Sequence, residues 1–329
     1  MRLISSIIFM LALCSCSINN RQGTQAVESA VERMTPVMVF NADSAYKYIK
    51  AQVDLGARVP GSEPHRKCAG LIENKLVEFG ADSVITQQTT AKNYLGQKIP
   101  IINIMGQFNP EATKRVLLLA HWDTRPWADN DPDEQNRHKP VLGANDGGSG
   151  VAVLLELARL MGEKRPEVGV DLLFVDGEDS GNSDNWDNNE ETWCLGTQYW
   201  INNMPYNDEN RPKYGILLDM VGGANATFYR EYLSERSAPR LNDKIWQIAE
   251  LSGYGDRFVS KVRGGVTDDH IFINKAGIPC VDIIECGNEE TGTFNPTWHT
   301  VNDDLRHIDR TTLKVVGQTM VNTIYTEKP

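Results

Sequence analysis

Five short segments of this 329-residue chain each offer a side chain that could bind a metal or move a proton: HWD at 121–123, GANDGGSG at 143–150, FVDGED at 174–179, LLDM at 217–220 and WHT at 298–300. A zinc centre that does chemistry draws about three protein ligands from histidine, cysteine and carboxylate and keeps a further position open. Asp146, Glu178, Asp179, Asp219 and His299 supply such a mixture. Glu178 and Asp179 follow an apolar run, and two buried acids are costly unless a cation or a proton compensates them. Adjacent side chains at an irregular strand end diverge, which assigns Asp179 to the metal and Glu178 to the proton. Asp146 lies among glycines that let backbone and ion approach; its duller role is to cap the helix that begins near Gly148. His299, beside Trp298, is the nitrogen donor, although a histidine next to a tryptophan is by itself unremarkable. His121 and Asp123 make an H-x-D pair, in which His121 could hold a second metal and Asp123 orient its ring. Asp219 could complete that second site or join a hydrogen-bond network. Asp268-Asp269-His270 is a further acidic cluster, which reads equally as charge on a surface loop.

A sheet must bring these residues together. VLLLA (116–120), DLLFV (171–175) and GILL (215–218) read as buried parallel strands, and residues just past the carboxyl ends of such strands converge on one crevice. GIPCVDII (277–284) reads as another. SVITQQTT and KIPIINIMGQF alternate as an edge hairpin. Apolar residues at three-four spacing predict helices over 44–56, 64–80, 148–163, 241–253 and 311–325, with a turn at ARVPGSEP between the first two. The acidic, Asn-rich stretch 179–193 reads as an irregular loop, and its position after the acid pair favours a functional role. The expected fold is a single α/β domain, a mixed, mainly parallel sheet sandwiched by helices.

A net charge of −11 and a pI near 5.1 argue against a nucleic-acid partner. The apolar run Leu3 to Leu13 is too short to span a bilayer and reads as a signal peptide. It ends in Leu13-Cys14-Ser15-Cys16, which resembles a bacterial lipobox with Cys16 as the lipidated residue. The expected organisation is a lipoprotein signal at 1–16, a polar tether at 17–41 and a catalytic domain at 42–329. That places the domain at the periplasmic face of a bacterial membrane, the outer membrane by expectation. The remaining Cys68, Cys194, Cys280 and Cys286 are either disulfide-bonded, as export permits, or buried thiols.

The order H-x-D, GAND, GED, LLD, DDH before GIP, and WHT-x-x-D resembles the M28 zinc peptidases across roughly residues 45–326. That family contains dinuclear zinc aminopeptidases and single-zinc glutaminyl-peptide cyclotransferases on one fold. TDDH at 267–270, Trp298 before His299, and Trp186 and Trp193 after the acid pair are more similar to the cyclotransferases, in a bacterial branch of the animal type. The resemblance makes Asp146, Asp179 and His299 the ligands of one Zn2+. It makes Glu178 the proton carrier, Asp219 and Asp268 supporting carboxylates, and Trp186, Trp193 and Trp298 pocket walls. Animal cyclotransferases have Glu-Glu where this chain has Glu178-Asp179; aspartate still ligates zinc. The implied reaction converts the N-terminal Gln of peptides and proteins to pyroglutamate with release of ammonia, in a lipid-anchored monomer. His121 and Asp219 are both present, so the alternative is a dinuclear aminopeptidase that hydrolyses off N-terminal residues.

Overall fold

Every residue of β3 (Arg115–His121), β4 (Gly169–Val175) and β5 (Gly215–Leu218) is buried. Strands covered on both faces read this way, as continuous apolar runs. The computed structural model describes residues 34–184, 189–207 and 209–329. The apolar run 3–13, Cys14, Cys16 and Trp186 lie outside the described residues.

The main sheet has six strands in the order β1-β2-β4-β3-β5-β8, with β1 (Ser83–Lys92), β2 (Lys98–Phe108) and β8 (Cys280–Ile283). β1 and β2 form an antiparallel hairpin at one edge, and β2 joins β4 antiparallel. The four strands β4, β3, β5 and β8 run parallel. β6 (Phe228–Glu231) and β7 (Phe258–Arg263) pair separately.

Strand alternation splits the interior into two cores. Leu118, Leu172, Phe174 and Ile216 join residues of α1 (Ala42–Val53), α2 (Glu63–Glu78), α3 (Gly148–Glu163), α6 (Pro239–Leu251) and α8 (Arg310–Thr326). Leu117, Leu119, Leu173 and Leu217 join residues of α4 (Leu195–Ile201) and α7 (Asp269–Lys275) on the other face. α3 crosses so near β5 that a Cβ on Gly150 would lie 2.1 Å from the Leu218 carbonyl oxygen.

Three local readings change. Asp268-Asp269-His270 is no surface loop: Asp268 caps α7, and all three residues are buried. Residues 34–41, read as the end of the tether, pack on the domain. The Met34 N–H donates to the Leu251 carbonyl, Phe40 is buried, and Asn41 caps α1. Cys68, Cys194, Cys280 and Cys286 are free and buried, which decides between thiol and disulfide for these four.

Candidate metal centre

β3, β4 and β5 end at the same side of the sheet, and each delivers an ionisable group there. His121 is the last residue of β3, and Asp219 follows β5 directly. Glu178 and Asp179 form a short 3-10 turn after β4, and Asp146 lies in the turn before α3. His299 arrives from the loop ahead of α8. One ligand atom from each of Asp146, Asp179 and His299 lies within 4.8 Å of the others, and all three residues are buried. His299 Nε2 is 3.2 Å from Asp179 Oδ1 and 3.7 Å from Asp146 Oδ2. Asp146 also belongs to a second group with His121 and Asp219, in which His121 Nε2 is 3.0 Å from Asp146 Oδ1 and 3.2 Å from Asp219 Oδ1. The donor set suits zinc. Neither buried oxygen of the Asp179 carboxylate accepts a well-aligned hydrogen bond, its charged neighbours being His299 and Arg125, and such a carboxylate suits a cation.

The loops bearing these side chains are held by further charged groups, most of which sequence reasoning gave no role. Asp303 accepts from the N–H groups of Asn145 and Asp146 at 2.8 and 3.0 Å. Asp123 accepts from those of Glu178 and Asp179 at 3.1 and 3.2 Å. Asp123 also stands beside the ring it is expected to orient, with Oδ1 3.5 Å from His121 Nδ1. Asp129 takes the orienting part for the other histidine, with Oδ1 3.1 Å from His299 Nδ1. Arg125 binds Asp129 and donates to the Asp179 and Gly181 carbonyls. Buried Arg58 donates to the Leu142 and Gly143 carbonyls and so braces the GAND turn. Asp303 stands in the quoted WHT-x-x-D pattern; Asp129 and Arg125 carry no comparable local signal.

Asp146 does not cap α3. The cap position is Gly147, at φ +77°, with no side-chain hydrogen bond. A Cβ there would lie 2.7 Å from the Asp123 carbonyl oxygen and 3.0 Å from the His121 ring, so only glycine lets this turn close on the metal group. Among the described residues, non-glycine positive φ occurs at Cys194, Met220 and His299 beside the site, and at two asparagines. Such backbone costs on the order of 1–3 kcal/mol each and persists where the surroundings enforce it.

Charge is crowded here. Burial pushes the Glu178 carboxyl well above its ordinary pKa; His121 opposes this, and Asp268 and Asp179 add to it. Burial likewise drives Asp268 far up, helped by Asp282 and Asp219, and lifts Asp146 to about 6. Asp179 goes the other way: burial raises it, but His299 and Arg125 together hold it below its usual value. Burial would lower His299, and Asp179 and Asp129 reverse that and lift it to about 9. Within the cluster, Glu178, Asp268 and Asp146 are thus pushed up and Asp179 alone of these four acids is held down.

These groups open on a cavity of about 590 Å3. Asp146, Glu178, Asp179, Asp219, Asp268 and His299 line its floor, and Trp193, Phe294 and Trp298 are among the apolar residues of its wall. Trp298 stacks on His299 at 3.8 Å between ring centroids, and Trp193 lies nearly parallel to it at 6.4 Å. Of the three tryptophans singled out in the sequence, two thus border the cavity.

The model for peptidase family M28 matches residues 103–324. The crystal structure of Bacteroides thetaiotaomicron glutaminyl cyclase bound to N-acetylhistamine is 50% identical, with a TM-score of 0.85 over 88% of this chain and 99% of that one. That of Tannerella forsythia glutaminyl cyclase is 46% identical, with a TM-score of 0.84 over 88% and 100%. Aminopeptidase YwaD of Bacillus subtilis is 25% identical over 230 residues, 68% of this chain. The chain spans 44% of that relative's length. Because the family match runs from within β2 into α8, and so takes in every strand end that feeds the cluster, the chain belongs to peptidase family M28.

Proposed function

We propose that this protein is a zinc-dependent glutaminyl-peptide cyclotransferase, an acyltransferase working by intramolecular aminolysis. The observation that carries the reading is Glu178, buried in the cavity floor beside the Asp146, Asp179 and His299 group and within 4.8 Å of Asp268. The α-amine of an N-terminal glutamine attacks the carbon of its own γ-carboxamide. A C–N bond forms, the bond to the amide nitrogen breaks, and ammonia leaves. Zinc held by Asp146, Asp179 and His299 supplies a Lewis acid for the γ-carbonyl oxygen. Glu178 takes a proton from the attacking amine and returns it to the departing nitrogen. Asp268 and Asp219 hold the leaving amide group, the Asp268 carboxyl being pushed well above its ordinary range by burial and by the neighbouring Asp282. Trp193 and Trp298 orient the first residue, which matters most for a reaction whose partners share one molecule.

The reading takes one zinc per chain. His121, Asp146 and Asp219 form a second buried group of similar composition. The same three residues favour the second reading, a dinuclear aminopeptidase with Glu178 activating water. Incubation with a Gln-initiated peptide followed by mass spectrometry separates the two. Loss of ammonia is expected, and loss of the whole first residue would replace cyclisation with hydrolysis. Metal analysis returning two zincs, one of them lost in His121→Ala, would point the same way. The proposal extends to location: a lipid on Cys16 holds the domain outside the cytoplasmic membrane, where it meets peptides and proteins with exposed N-terminal glutamine.

A further inference from the structure

Cys194 plays no part in that chemistry, yet it is fixed against the group that moves the proton. Its backbone N–H donates to the Glu178 carbonyl at 3.1 Å, and its Sγ lies 3.7 Å from Glu178 Oε1. Ligand atoms of Glu178, Cys194 and Asp268 all lie within 4.8 Å of one another, and all three residues are buried. For a tetrahedral ion with one sulfur at about 2.3 Å and one oxygen near 2.1 Å, the sulfur–oxygen edge is about 3.6 Å. The observed 3.7 Å fits that edge. Asp268 is 2% exposed, and its Oδ2 has no hydrogen-bond partner. Glu178 and Asp268 both line the cavity, so an ion entering it reaches them directly.

We propose that Glu178, Cys194 and Asp268 form an inhibitory site for a thiophilic divalent cation, cadmium or excess zinc, separate from the Asp146, Asp179 and His299 group. The thiol proton leaves to solvent as the sulfur binds. The ion then occupies the carboxylate that must accept the substrate's proton, and turnover stops while the first zinc stays in place. One sulfur with two oxygens favours cadmium and zinc over magnesium, which takes an all-oxygen shell. The inhibitory effect rests on the proposed role of Glu178; the binding does not.

The test uses zinc-loaded enzyme titrated with cadmium chloride, read by turnover of a Gln-initiated peptide and by the near-ultraviolet sulfur-to-cadmium charge-transfer band. Cadmium should inhibit and the band should appear, with magnesium doing neither. Cys194→Ser and Cys194→Ala should lose the band and raise the inhibitory concentration by more than the about tenfold typical of losing even an outer partner of a metal ligand. Cys286→Ser, which removes the thiol that lines the cavity wall, should keep the band. If the parent shows no band, or the Cys194 variants remain as cadmium-sensitive as the parent, the site is not there. Failure of the peptide to cyclise would overturn the cyclotransferase reading alone, because the band needs no turnover.

Discussion

Glu178 and His299 border the same few ångströms, but their loss should be felt differently. Glu178→Gln keeps the size of the side chain and removes its ability to shuttle a proton, so turnover should fall by about 10² or more with zinc still bound. Near-parental activity in that variant would strip Glu178 of its role. His299→Ala should lose metal and activity together. Asp129→Ala is more informative about the protein's own design. It leaves His299 present but unsteered, so zinc affinity in a metal-buffered titration should drop by about 10–100-fold, with activity restored at saturating zinc. At this scale sequence reading finds residues whose chemistry is announced by neighbours: Asp146 among glycines, Glu178 beside Asp179. It passes over Asp129, Arg125 and Arg58, because what they hold, His299 and the carbonyls of Asp179 and Leu142, lies far along the chain and no short motif records such a pairing.

The helix α3 shows how an element aims a side chain. Its start is fixed by Gly147, and its approach to β5 by Gly150, where even one added carbon would meet the Leu218 carbonyl. Gly150→Val should push α3 away from the strand that ends at Asp219. A loss of about 1–3 kcal/mol is expected for such overpacking, measurable as an earlier denaturation midpoint. An unchanged midpoint would show that the gap is softer than the packing suggests. Long elements were legible because they repeat their apolar spacing: α3 begins and ends where the 148–163 pattern does, and the edge hairpin follows its alternation. α4, α5 (Tyr232–Ser237) and α7 have six or seven residues each, under two full turns, too few to establish a period. Asp268, which caps α7, looked like surface charge because the cavity floor it lines is completed by Glu178, Asp179 and Asp219 from the segments after β4 and β5. β6 and β7 were likewise passed over: four and six residues, the second mostly exposed.

At the scale of the molecule, the ordered chain reaches back past the first helix. Phe40 is 2% exposed against Gly317 of α8, so a chain starting at residue 42 should lose about 3–5 kcal/mol relative to one starting at residue 34. Equal unfolding free energies would make residues 34–41 dispensable. The proposed anchor has its own test. Cys16→Ser should move the full-length protein from the detergent to the aqueous phase on partitioning, and Cys14→Ser should not. The parallel arrangement of β3, β4 and β5 has a further effect, on the birth of the protein. Asp179 and His299 are 120 positions apart. At synthesis rates of about 5–20 residues per second, the imidazole trails the second carboxylate by roughly 6–24 s. A chain that stops short of residue 299 therefore offers the Asp146 and Asp179 carboxylates beside His121 but lacks the second imidazole, so the proposed zinc group is completed only by the last loop before α8.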